Sequence, residues 1–177
     1  PEEPFKEFGF VTTRLNDVMF GMKEHSEGSL IDARLLSDGT LRCLAVLTAL
    51  ETAEEGSRVI VEEFDNALHP SRVGILAQAI WDAAQRRRLN VLCTTHNPAT
   101  LNSLSHEQLR GVVLCYRDPT EKVSKVTHLF DLPRADVLLE RGRLGDLVTR
   151  QIVEDHLMPS FEEQSKKEAM KWLDDLP

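Results

Sequence analysis

Three short stretches of this sequence carry residue types that could do chemistry: Ser37-Asp38-Gly39-Thr40, Glu62-Glu63, and His96. Each borders an apolar run. Glu62 and Glu63 close the run "RVIVEE" (58–63), and carboxylates at the end of a buried strand are costly unless a cation or hydrogen-bond donors receive them. His96 follows a second run, "NVLCTT" (90–95). In open α/β sheets, ligands bind in the crevice outside the carboxyl ends of the strands. Two acids and an imidazole delivered to one such edge suit metal-assisted phosphate chemistry. Ser37 is a good helix N-cap, yet Ser-Asp-Gly-Thr is more than a cap needs. Gly39 lets a ligand approach the backbone, and the free N–H groups of a first helical turn form an anion site. Taken singly, each stretch has a bland explanation as solvated acids at a strand end or as a plain cap.

The elements that must position these residues follow from periodicity. From Leu41 to Leu50 only Arg42 and Thr48 interrupt an apolar sequence, which predicts a helix enclosed on most sides. The β-branched "RVIV" and the "NVLC" run predict parallel strands buried on both faces. Between them, Val73, Leu76, Ala77, Ile80, Ala83 and Ala84 share one helical face, and Arg86, Arg87 and Arg88 close that helix where cations suit its dipole. Strand, helix and strand in this order make a βαβ unit with a right-handed crossover, which brings both strand ends to one edge. Upstream, Phe8 to Thr13 and Val18 to Met22 are β-prone. Downstream, "GVVLCY" and "KVTHLF" predict antiparallel strands around a turn at Arg117 to Thr120. From Asp131 the pattern is helical, with Leu144, Leu147, Val148 and Ile152 on one face and a break at Met158-Pro159. Residues 160–175 predict a solvated terminal helix with Glu162/Lys166 and Glu163/Lys167 pairs.

Composition bounds the function. The 29 acidic residues outnumber the 21 basic ones for a net charge of -8, which argues against a domain whose whole surface grips nucleic acid while leaving room for a local basic site or a basic partner domain. Cys43, Cys93 and Cys115 lie in apolar runs without a CxxC, and are expected to be buried thiols in a reducing compartment. No apolar run approaches the roughly 20 residues that span a bilayer, and a cytoplasmic location without membrane contact is expected. The chain opens at Pro1 without an initiator Met, so a longer protein is expected around it.

Together the motifs resemble those of ABC-type ATPases. "LSDGT" (36–40) resembles the LSGGQ signature, "VIVEEFDNALHP" (59–70) the Walker B strand, catalytic glutamate and D-loop, and "TTHNP" (94–98) the H-loop. Order and spacing agree across 35 to about 105, and three motifs in register are far more specific than one. The resemblance is closest to the RecF/SMC-like branch and its OLD-type and anti-phage defence relatives among AAA-family ATPases. It implies an α/β fold: the C-terminal lobe of an ABC-type P-loop NTPase head over 1–130, a parallel sheet core with flanking helices, and a helical C-terminal extension over 131–177.

Residue by residue, the resemblance implies that Glu62 helps hold Mg²⁺, Glu63 orients or deprotonates the attacking water, and His96 contacts the γ-phosphate of ATP. Ser37, Asp38 and Gly39, with Thr40 closing the turn, would reach the nucleotide of another protomer across a head-to-head dimer. Asn66 and Ala67 would lie in the D-loop at that interface. Glu62 departs from the usual Asp, His69 from the usual D-loop Asp, and Asp38 from a Gly; Asp38 is expected to cap the helix or to pair with a cation such as Arg42.

A P-loop, GxxxxGK[ST], is absent: none of the nine glycines begins one. Nothing in this sequence therefore cradles a β-phosphate, and a P-loop-bearing N-terminal lobe is an expected partner beside a second ATPase head. DNA or a nuclease effector would be further partners of such an ATPase. Two other functions fit parts of the sequence: a metal-dependent nuclease using Glu62, Glu63 and Asp65, or a non-hydrolysing lobe that serves dimerisation.

Overall fold

The structure, a computed structural model, describes residues 6–23, 27–118 and 121–157. The chain falls into two compact units, Pro1–His69 with Ala83–Thr94, and Pro70–Asp82 with Thr95–Pro177.

The first unit opens with strands β1 (Glu7–Thr12), β2 (Val18–Lys23) and β3 (Ile31–Asp32) in an antiparallel sheet of that order. Thr13 makes the β1–β2 turn by accepting hydrogen bonds at Oγ1 from the Leu15 and Asp17 amides, at 3.2 Å each, with Asn16 in the left-handed region at φ 64°. Asn tolerates that conformation better than most residues. Phe20 lies against Phe8 and Phe10 on one face of the sheet, with centroids 5.9 and 5.6 Å away.

Helix α1 (Asp38–Thr52) follows a short 3₁₀ turn. It begins three residues earlier than the apolar run suggested, because Ser37 caps it. Its expected enclosure is not found. Gly39, Val46 and Leu50 are its buried residues, while Ala45, Thr48 and Ala49 are exposed. An apolar run does not specify how many sides are covered. The one side that is covered still matters, since completely burying a side chain such as Leu50 contributes about 1.5–3 kcal/mol.

Strands β4 (Arg58–Val61) and β5 (Asn90–Cys93) pair in parallel, in the register Arg58↔Asn90 to Val61↔Cys93. The parallel pair is as expected, but burial on both faces is not. Ile60 is 61% exposed and its partner Leu92 53%, so one apolar face of this two-stranded sheet is uncovered among the described residues. Helix α2 (Pro70–Arg87) joins the two strands. On its expected face Val73, Leu76, Ile80 and Ala83 are buried, and Ala77 and Ala84 half-buried. The arginines at its end fasten it to the end of α1: Arg86 and Arg87 pair with Glu51, Arg87 also donates to the Ala53 carbonyl, and Arg88 pairs with Glu55 at 3.3 Å.

In the second unit, α3 (Pro98–Ser103) and α4 (His106–Leu109) precede the antiparallel hairpin of β6 (Val113–Arg117) and β7 (Ser124–His128). Cys115 on β6 is exposed, against the expectation of a buried thiol, because its side of the strand, like Val126 opposite it, is uncovered. The single helical face predicted beyond Asp131 is divided among α5 (Ala135–Glu140), α6 (Leu144–Thr149) and α7 (Ile152–His156). Gln151, at φ 60°, ends one helical path and starts the next, so Leu144 and Ile152 belong to different helices. Both still serve one core, where Leu129, Leu132, Ala135, Leu138, Leu144, Leu147 and Val153 are buried together and Val148 and Ile152 pack against them. The expected break at Met158-Pro159 and the terminal helix lie outside the described residues. No helix among the described residues is long and apolar enough to cross a membrane.

Candidate active site

The signature-like turn is built by its own side chains. Ser37, with extended backbone, accepts a hydrogen bond at Oγ from the Thr40 amide at 3.1 Å, and the two hydroxyl oxygens lie 2.8 Å apart. Asp38 is exposed in the first turn of α1, where its charge suits the positive end of the helix. Gly39 is buried. A side chain there would meet the Ala67 carbonyl oxygen at 2.5 Å and Leu68 Cδ2 at 3.1 Å. The close approach that this glycine permits is therefore to the D-loop-like backbone of the same chain, and the two motifs are packed side by side.

The acidic turn follows β4 directly. Glu62 is exposed, and its backbone carbonyl accepts a hydrogen bond from Arg42 Nη2 on α1. Arg42, expected as a partner for Asp38, instead ties α1 to the acidic turn. Glu63 is exposed at φ 44°, a left-handed conformation that costs a non-glycine residue about 1–2 kcal/mol. Beyond it, the chain makes two tight turns, Asn66 N–H to Glu63 O at 2.9 Å and Leu68 N–H to Asp65 O at 3.2 Å, with Ala67 again left-handed at φ 63°. Asn66 and Ala67 are exposed. Asp65 is buried, and its charge together with burial pushes the Cys93 thiol up to about 11. Burial is the larger cause, and it makes Cys93 an inert thiol rather than a nucleophile.

Thr94 is the residue that sequence reasoning passed over. It stands just past β5, exposed, and holds the acidic turn by three hydrogen bonds: its amide donates to the Val61 carbonyl at 3.0 Å, its carbonyl accepts from the Phe64 amide at 3.3 Å, and its Oγ1 accepts from the Glu63 amide at 2.9 Å. The doubled threonine before His96 was the available signal, since a hydroxyl at a strand end can satisfy a neighbouring turn.

Ser37 to Thr40, Glu62, Glu63, Asn66 and Ala67 all belong to the first unit, whereas His96 belongs to the second. His96 is exposed in the loop between β5 and α3. That loop is fixed by the Asn97 amide, which donates to Thr95 Oγ1 at 3.0 Å, and by the Asn97 side chain, which caps α3 by accepting from the Ala99 amide at 3.0 Å.

The described residues contain no group of three His, Cys, Asp or Glu side chains placed to hold a metal ion. Glu62, Glu63 and Asp65 are thus not gathered into a closed cation cage. Mg²⁺ needs no such cage, because it keeps several waters and takes one or two carboxylates plus substrate phosphates. The exposed Glu62 carboxylate fits that demand.

The chain is thus mixed α/β, with a parallel strand pair, flanking helices and an acidic turn beyond the first of the paired strands. The chain belongs to the family described as "AAA domain, putative AbiEii toxin, Type IV TA system", whose profile matches residues 3–102. No curated protein matches it. Among solved structures, a chain from work on ATP-driven dimerization and DNA-stimulated activation of SMC ATPases is similar at 12% identity and a TM-score of 0.49, over 68% of this chain and 71% of that one.

Proposed function

We propose that this chain is the signature-bearing lobe of an ATPase head that closes on a second head around ATP and Mg²⁺. The observation that carries this is the packing of Gly39 against the Ala67 carbonyl, which sets the signature turn beside the acidic turn while Ser37, Asp38, Glu62 and Glu63 all stay exposed. Such a surface suits a nucleotide held from outside the chain. Glu62 would hold the cation, which neutralises charge on the phosphates when bound. Glu63 would accept the proton of the attacking water, His96 would contact the γ-phosphate, and Ser37 to Thr40 would reach the nucleotide of the second head.

The P-loop comes from another segment. The uncovered face of β4 and β5 supports that part of the proposal, because parallel sheets are stable when both faces are covered, and Ile60 and Leu92 present an apolar surface for the missing layer. Closure of two heads stores the binding energy of the shared nucleotide, and hydrolysis removes the ligand that favours the closed state. A DNA-related task such as repair or phage defence, carried out in the cytoplasm, is the setting this cycle fits.

The test is reconstitution. The chain alone should release phosphate from ATP at the background rate, and addition of its P-loop-bearing segment should restore steady turnover. Full turnover by the chain alone would overturn the proposal, as would metal-dependent DNA cleavage without ATP that is lost on changing Glu63.

A further inference from the structure

Glu63 must hold its carboxylate in one direction from a backbone conformation that L-residues avoid, so something in the surroundings has to fix that backbone. Three hydrogen bonds reach the segment Val61 to Phe64 from a single residue, Thr94. Two of them use the Thr94 main chain and would survive any substitution that keeps the strand. The third is different in kind. The Glu63 amide donates to Thr94 Oγ1 at 2.9 Å, and only a residue with a side-chain acceptor at that distance can receive it. The bond falls on the very residue whose φ is 44°, so it acts on the dihedral that sets where the Glu63 side chain leaves the backbone.

We infer that Thr94 is a positioning residue for Glu63: its hydroxyl fixes the left-handed turn and so aims the carboxylate that receives the water proton. The inference rests on the function proposed above. Thr94 touches neither nucleotide nor water in this scheme and acts only through Glu63. Its exposure separates this role from a packing role, since a buried threonine would be held by the core in either case.

The experiment compares Thr94→Val, which keeps the branched shape and loses the acceptor, with Thr94→Ser, which keeps the acceptor. In the complete ATPase, Thr94→Val should lower kcat on the order of tenfold with KM for ATP unchanged, because misplacing a catalytic group costs rate without costing substrate binding. Thr94→Ser should stay within about twofold of the parent on the same argument. In the chain alone, hydrogen exchange at the Glu63 amide should accelerate in the valine variant and not in the serine variant. Glu63→Gln is the control. If Glu63→Gln stops turnover while Thr94→Val keeps the parental kcat and exchange rate, the inference about Thr94 is wrong and the proposed function stands. Equal losses in the serine and valine variants would also overturn it, since the hydroxyl would not be what matters. If Glu63→Gln turns over normally, the proposed function itself fails.

Discussion

With Glu63 as the proposed general base, Glu63→Gln in the ATPase reconstituted with the proposed P-loop-bearing segment is expected to cut steady-state phosphate release by about 100- to 10,000-fold, the range over which a positioned general base contributes. The substitution keeps the side chain's length and its place in the turn, so the bond that the Glu63 amide donates to Thr94 Oγ1 and the one that its carbonyl accepts from the Asn66 amide should remain. What is lost is the ability to take a proton. Binding should persist, because Glu62 and the signature turn are untouched, and ATP should remain trapped unhydrolysed. Phosphate release and the identity of the bound nucleotide, measured on the same sample, check both halves. Loss of ATP binding together with turnover would instead mark Glu63 as a binding group.

The second large effect is on stability. Gly145 lies in α6, where an added Cβ would sit 2.0 Å from the Pro98 carbonyl oxygen and 2.7 Å from Asn102 Oδ1. In a helix, Gly→Ala ordinarily stabilises by about 1 kcal/mol. Here the obstacle is mainly backbone and cannot rotate away, so α3 and α6 would have to separate. That would also strain the reciprocal pair in which Asn102 Nδ2 donates to Asp146 Oδ1 at 2.9 Å and the Asp146 amide donates to Asn102 Oδ1 at 3.2 Å. Overpacking of this kind typically costs about 1–3 kcal/mol, which outweighs the propensity gain. Gly145→Ala should therefore lower Tm by several degrees in a thermal melt. Gly111→Ala, whose nearest obstacle is the Gln108 carbonyl at 3.5 Å, should melt close to the parent.

The sequence was most legible where chemistry and local geometry coincide. Ser37 caps α1, the strands before Glu62 and His96 pair in parallel, and β6 and β7 form the expected antiparallel hairpin, with Arg117 in β6 rather than in the turn. It was least legible where the answer depends on what lies over a surface. The apolar runs of α1, β4 and β5 look alike whether one face or both are covered, and the exposure of Ile60 and Leu92 is set by which partners are present. The division of the last helical stretch turned on one left-handed residue, Gln151, whose type does not announce that conformation. Gly39 illustrates the limit at the site itself. Its need for space was visible, but the occupant of that space, the Ala67 carbonyl, comes from a turn far along the chain. Thr94 was missed because the bond its hydroxyl accepts from the Glu63 amide joins residues 31 positions apart in the chain.

The proposed role of the turn at Ser37 is to serve a nucleotide held by a second head. The most direct measurement is the solution mass, by analytical ultracentrifugation, of the complete Glu63→Gln ATPase with and without MgATP, alone and combined with Ser37→Arg. An ATP-dependent doubling of mass is expected for Glu63→Gln, abolished in combination with Ser37→Arg, which blocks the exposed turn. Doubling that persists with Ser37→Arg, or no ATP-dependent change in Glu63→Gln, would contradict it.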